Sequence, residues 1–138
     1  MRRERGQALI ETLLLGLVMM APLLWGLGVL ADLHRNALAT TSAAREASFE
    51  AARSIDPSRA RRAADRAISI ALRDHGLDPS IARVEWSVGR LERGAPIQVV
   101  VSYPTRVLQA PFLGQVGGPS IWTHAKSVAR IDRYRSRT

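Results

Sequence analysis

A run of 20 residues without a charged side chain, TLLLGLVMMAPLLWGLGVLA at positions 12–31, decides the architecture of this chain. At about 1.5 Å of rise per residue, a helix of this length spans about 30 Å, the hydrocarbon thickness of a bilayer. Pro22 lies in the middle of the run, and membrane helices tolerate a proline there. The run therefore predicts one transmembrane helix.

The residues on either side of the run predict its orientation. Arg2, Arg3 and Arg5 precede it, whereas the first charged residue after it is Asp32. Because the basic side of a membrane span stays in the cytoplasm, the N-terminus is predicted inside and everything after residue 32 outside. The expected location is the cytoplasmic membrane, with a single pass.

The composition of the chain excludes several kinds of site and limits the kinds of partner. The 138 residues contain no cysteine, which excludes disulfides, thiolate zinc sites and a cysteine nucleophile. Twenty basic residues against 12 acidic ones give a net charge of +8, which suits an anionic partner. Since the basic residues are predicted outside the cytoplasm, we expect the bilayer as a partner and no nucleic acid.

Glu11, the residue directly before the apolar run, helps to distinguish a membrane anchor from a cleaved signal peptide. A secretory signal peptide cleaved after Ala31 is one alternative, but such peptides have shorter apolar runs and carry only basic groups at the position where Glu11 stands here. A carboxylate near hydrocarbon costs up to about 2.5–3.5 kcal/mol at the helix centre and less at the edge. Glu11 therefore requires a partner or a role. An uncleaved single-pass interaction module of the cell envelope or of a secretion channel remains a second alternative.

The segment from Arg5 to Glu11, RGQALIE, followed by the apolar helix, resembles the leader of bacterial type IV pilins. The resemblance implies that prepilin peptidase cuts after Gly6, which makes Gln7 the first residue and Glu11 the fifth of the mature chain. Residues four apart share a helix face, so the new amine of Gln7 and the Glu11 carboxylate can neutralise each other, within one chain or between packed chains.

Three later segments, TSAAREA at 41–47, VVVSYP at 99–104 and PFLG at 111–114, resemble TadE-type proteins of the tight-adherence (Flp) pilus system. This resemblance implies a minor, pilin-like subunit that takes part in pilus assembly. Its implied partners are prepilin peptidase, other pilin-like subunits and pilus assembly proteins. The implied location is the membrane, with the pilus itself as an alternative.

Beyond the predicted membrane span, helical periodicity continues to Arg53, is interrupted there and resumes in a second segment. A stripe of small residues predicts that residues 36–53 pack against another helix or a sheet: Ala37, Thr40, Ala44, Ala47 and Ala51. Asp56 and Pro57 predict the start of a second helix, and Gly76 predicts its end. Its expected buried face consists of Ala60, Ala64, Ala67, Ile68, Ala71 and Leu72.

After Gly76 the periodicity changes from helical to alternating. Residues 82–88, residues 97–103 up to Pro104, and residues 120–131 predict three strands, with turns at 89–96 and 111–119. The first two are expected to form an antiparallel hairpin and the third to complete a sheet against a helix. The predicted fold class is α+β, with a leader (1–6), a transmembrane helix (7–31), an extracytoplasmic pilin-like domain (32–131) and a flexible basic tail (132–138).

The sequence offers no pattern for catalysis or for cofactor, metal or small-molecule binding, and we expect no enzyme activity. The histidines, His34, His75 and His124, are far apart and lack ligand spacing. The glycines of 114–118 lack the residues of a phosphate loop. A basic cluster at Arg59–Arg66 fits a solvated helix face or an attraction to anionic headgroups or cell-wall polymers.

Overall fold

The computed structural model describes residues 2–54, 56–88, 95–107 and 119–131, with side chains described from Gln7 onward. Contacts divide the chain into two units, Met1–Asp32 and Leu33–Thr138. One helix, α1 (Arg2–Arg53), contributes residues to both units. A second helix and a three-stranded antiparallel sheet complete the structure, so the predicted α+β architecture is confirmed.

The first unit consists of the beginning of α1. The helix passes through Pro22 without ending, in agreement with the tolerance of membrane helices for proline. Within the described residues, α1 is the one helix long and apolar enough to cross a membrane, and none of the residues in its apolar window is buried. A single N-terminal membrane span therefore fits this helix.

The second helix, α2 (Pro57–Asp74), has the predicted caps at both ends. Asp56 is the N-cap, where its carboxylate accepts hydrogen bonds from the Ser58 hydroxyl and, at 3.2 Å, from the backbone N–H of Arg59. At the other end, Gly76 has a φ of 71°. The Leu77 N–H donates to the Leu72 carbonyl at 2.9 Å, which is the hydrogen bond of a Schellman motif that spans six residues.

Replacing Gly76 with alanine is expected to destabilise the second unit by about 1 kcal/mol, because a Cβ is unfavourable at this positive φ. An added Cβ at Gly76 meets no atom within 4 Å, so the cost comes from the backbone alone. Thermal unfolding followed by circular dichroism measures the effect. Gly76→Asn is the matched variant and should lose less, since asparagine tolerates this conformation; an equal loss for both variants would contradict the explanation.

Acid is expected to weaken the start of α2. The hydrogen bonds from Ser58 and from the Arg59 N–H lower the pKa of Asp56 below its ordinary value of 3.8. A carboxyl whose folded-state pKa is lowered contributes stability above its unfolded pKa and loses it as the pH falls through the folded value. The melting temperature should therefore drop more between about pH 5 and about pH 2 in the wild type than in Asp56→Asn, which keeps a capping oxygen without the charge. Equal drops would show that the cap does not titrate.

The sheet is formed by β1 (Arg83–Val88), β2 (Pro96–Arg106) and β3 (Ser120–Arg130), in that spatial order. Both neighbouring pairs are antiparallel, with Trp86 opposite Val99 and Val101 opposite Ala125. The predicted hairpin and third strand are confirmed. The predicted loop at 111–119 and tail at 132–138 lie outside the described residues, except for Pro119, and so does most of the turn at 89–96.

The prediction that Pro104 ends the second strand is wrong, because β2 continues to Arg106. Pro104 lies opposite Trp122 of β3, whereas β1 begins with Arg83, opposite Ser102. Past Ser102, β2 therefore has a neighbouring strand on one side only, as far as the described residues show. A strand with a free side tolerates a proline, since the missing N–H breaks no bond to a strand there.

The core of the second unit lies between the two helices and one face of the sheet. The predicted face of α2 is buried throughout. Of the predicted α1 stripe, Ala37 is half-buried and the other four residues are buried. The sheet contributes mainly Ile97, Val99 and Val101 from β2. β-branched side chains of β2 thus fill the core opposite helix faces built largely from alanine.

Candidate membrane and assembly interface

The surface of α1 from Leu9 to Leu30 is uncovered, and it is apolar apart from Glu11 and Thr12. Its large apolar side chains, except the half-buried Val29, are between 42% (Trp25) and 70% (Leu13 and Met19) exposed. Soluble monomers rarely leave more than a few hundred Å² of contiguous apolar surface in water. This surface therefore requires lipid, another protein or both to cover it.

Glu11 is the acidic side chain at the start of that surface, and it lies exposed one helical turn after Gln7. Its neighbour Thr12 satisfies its own hydroxyl by donating to the Ala8 carbonyl at 2.9 Å. Among the side chains that the structure describes, no partner hydrogen-bonds to the Glu11 carboxylate. The Thr12 hydroxyl is thus compatible with lipid because it is already hydrogen-bonded, whereas the Glu11 carboxylate is available for a partner.

Gly6 and Gln7, the predicted cleavage residues, both lie within α1. Their peptide bond is therefore helical, and a peptidase that binds an extended substrate would first have to unwind the helix there. Glycine assists such unwinding, because it has the largest conformational freedom of all residues. The structure brings Gln7 and Glu11 onto one face of the helix by their spacing of four residues.

Two hydrogen bonds between side chains attach α1 to the sheet in the second unit. Asn36 donates through Nδ2 to Thr105 Oγ1 of β2 at 2.8 Å, and Ser48 Oγ lies 2.9 Å from Ser127 Oγ of β3. Both helix residues are at least 96% buried. The sequence did not predict these two hydrogen bonds, because helical periodicity identifies the buried face of a helix but not a polar partner 69 or 79 residues away.

A third contact ties the segment after α2 to the sheet. The backbone N–H of Asp78 donates to the Tyr103 hydroxyl at 3.1 Å, and burial raises the pKa of this phenol. Asp78 also accepts from the Ser80 N–H, at the start of a short 3-10 helix (Pro79–Ile81) that the sequence analysis did not predict. The second unit therefore holds both helices on the sheet by specific polar contacts as well as by burial.

The sheet face that points away from the helices carries polar and aromatic side chains. Ser102 Oγ lies 2.8 Å from His124 Nδ1, and the Arg83 guanidinium stands 4.2 Å from the centre of the Trp122 ring. Ser102 and His124 lie directly opposite each other on β2 and β3, so this contact is a cross-strand hydrogen bond. Over the residues that the structure describes, no group of three or more His, Cys, Asp or Glu side chains could hold a metal ion.

Comparisons of this chain with protein-family models, with curated proteins and with solved structures find no match.

Proposed function

We propose that this protein is a membrane-anchored, pilin-like minor subunit that takes part in assembling a tight-adherence pilus, and that it is not an enzyme. The observation that carries the proposal is the uncovered apolar surface of α1, which starts beside Gly6 and contains one carboxylate, Glu11, five residues further on. An apolar helix alone suits any anchor. The spacing of glycine and glutamate is what favours a processed pilin-like subunit.

In this proposal the mechanism has three steps. The helix inserts with its N-terminus in the cytoplasm, prepilin peptidase removes residues 1–6, and residues 7–31 then pack laterally against other pilin-like helices. The Glu11 carboxylate neutralises the amine freed on Gln7, in its own chain or a neighbouring one. Each charge would be costly in hydrocarbon by itself, so pairing between neighbouring chains would favour assembly over free diffusion.

The second unit has a separate task in the proposal, which is contact with assembly partners outside the membrane. Its polar links between α1 and the sheet, Asn36–Thr105 and Ser48–Ser127, would keep the domain folded on the helix that anchors it. The competing proposal is that α1 keeps residues 1–6 and serves as an uncleaved membrane anchor for the same domain. The continuous helix through Gly6 and Gln7 is the observation that favours that alternative.

Glu11→Ala is expected to reduce surface pili by about tenfold in the native host. A tenfold effect corresponds to about 1.4 kcal/mol for the interaction between the carboxylate and the buried amine. The measurement is the amount of pilus protein in sheared surface fractions, compared at equal membrane levels of the variant chain. Glu46→Ala is the matched control, since Glu46 is an exposed acid further along the same helix. Unchanged piliation with Glu11→Ala, or an equal loss with Glu46→Ala, would contradict the proposed role.

A further inference from the structure

Four arginines of α2 form a line on its solvent side, and we name them the arginine face: Arg59, Arg62, Arg66 and Arg73. Their spacings of three, four and seven residues place them within about 60° around the helix, at 100° per residue. They extend over about 21 Å along it. All four side chains are exposed. The helix therefore presents a narrow row of guanidinium groups.

Neighbouring acids compensate the positive charge of this row only in part. Asp65 and Asp74, the acids within α2, lie about 90° around the helix from the centre of the row. Asp56 already accepts hydrogen bonds from Ser58 and from the Arg59 backbone. Asp56 interacts electrostatically with Arg59 and Arg62, and Asp78 does so with Arg73. Within the described part of the chain, however, no carboxylate forms an ion pair within 4 Å of the arginine face. The row thus carries excess positive charge.

The chemistry of the row selects phosphate groups. Guanidinium is planar and presents paired N–H donors that match two phosphate oxygens, which a lysine ammonium cannot do. The helix α2 contains no aromatic residue, so the row offers no platform on which a nucleobase would stack. Recognition would be confined to a backbone of repeating phosphates.

The shape of the row favours a chain over a membrane surface. Most apolar residues of α2 are buried in the core, among them Ala64, Ile68 and Leu72. Ile70 is the one large apolar side chain of the helix that is exposed, and a single residue does not form an apolar face that could insert into lipid. A row about 21 Å long and one side chain wide matches a linear ligand. We propose that the arginine face binds a linear phosphodiester polymer of the cell envelope.

The choice of an envelope polymer rests on the proposed outward location of this domain, but the binding itself does not. The test uses the full chain in nanodiscs of neutral phosphatidylcholine and a fluorescent glycerol-phosphate oligomer of about ten repeats, with anisotropy as the readout. Arg59→Gln/Arg62→Gln/Arg66→Gln should bind at least tenfold more weakly. Its slope of log affinity against log salt should fall by about 2, at about 0.7 per lost phosphate contact.

The matched control removes the same charge elsewhere: Arg61→Gln/Arg106→Gln/Arg130→Gln, three exposed arginines outside the row. This control should keep its affinity within about threefold, and both variants should melt at the wild-type temperature. An equal loss in both variants would show that net charge alone attracts the oligomer and would overturn the site.

Two further probes test the class of ligand. A thymidine oligonucleotide with the same number of phosphates should bind no more tightly than the glycerol-phosphate oligomer; tenfold tighter binding would assign the row to nucleic acid instead. Vesicles containing phosphatidylglycerol should show no dependence on the arginine face. Binding to such vesicles without binding to the oligomer would replace the polymer with a lipid surface. None of these outcomes depends on leader cleavage, so the proposed function and this inference can fail separately.

Discussion

Gly6→Ala is expected to leave the leader on the protein, so that almost all of the membrane-bound chain begins at Met1. The resemblance to type IV pilins places the cleavage after Gly6, and the structure places that bond inside a helix. A methyl group at this position favours the helical backbone by up to about 1 kcal/mol and adds bulk next to the scissile bond. Both effects oppose the extended substrate that a peptidase requires.

Intact mass spectrometry of the purified membrane fraction measures the leader directly. Gly16→Ala is the matched control, because an alanine Cβ there meets no atom within 4 Å and the residue lies in the same helix. This control should be processed like the wild type. Normal removal of residues 1–6 from Gly6→Ala at the wild-type rate would contradict the predicted cleavage.

The second large effect is expected from charge placed in the apolar run. Leu17→Arg/Leu24→Arg introduces two guanidinium groups one above the other, at positions where both leucines are more than 60% exposed. Each arginine near the centre of a span costs about 2.5–3.5 kcal/mol, so the pair opposes insertion by about 5–7 kcal/mol. Newly synthesised protein should shift from the membrane fraction to the soluble or degraded fraction.

Leu38→Arg is the control for this pair, since Leu38 is 52% exposed on the same helix but lies in the second unit. Membrane flotation after a short pulse of synthesis separates the fractions. The control should float with the membranes like the wild type. Flotation of the double variant at the wild-type level would show that residues 12–31 are not the anchor.

Those parts of the fold that depend on neighbouring residues could be predicted from the sequence. The ends of α2 follow from Asp56, Pro57 and Gly76, whose effects act within one helical turn. The alternation of Ile97, Val99 and Val101 likewise identifies the buried side of β2, because a strand turns successive side chains to opposite faces.

Features that depend on distant partners could not be predicted in this way. Pro104 is a poor strand residue by local rules, but its position past the start of β1 makes it harmless, and only the register reveals this. The pairing of Ser48 with Ser127 is equally invisible, since serine fits solvent as well as a buried hydrogen bond. The candidate interface shares this limit: spacing relates Gln7 to Glu11, but no local pattern identifies a partner in another chain.

The central claim is that the mature chain begins at Gln7 and is anchored by residues 7–31. N-terminal peptide and intact mass spectrometry on protein from the native membrane fraction tests it most directly. A mature start at Gln7 is the result that we predict. A start at Met1 would contradict processing and support the uncleaved anchor, whereas a start at Asp32 would remove the membrane helix and overturn the pilin-like proposal as a whole.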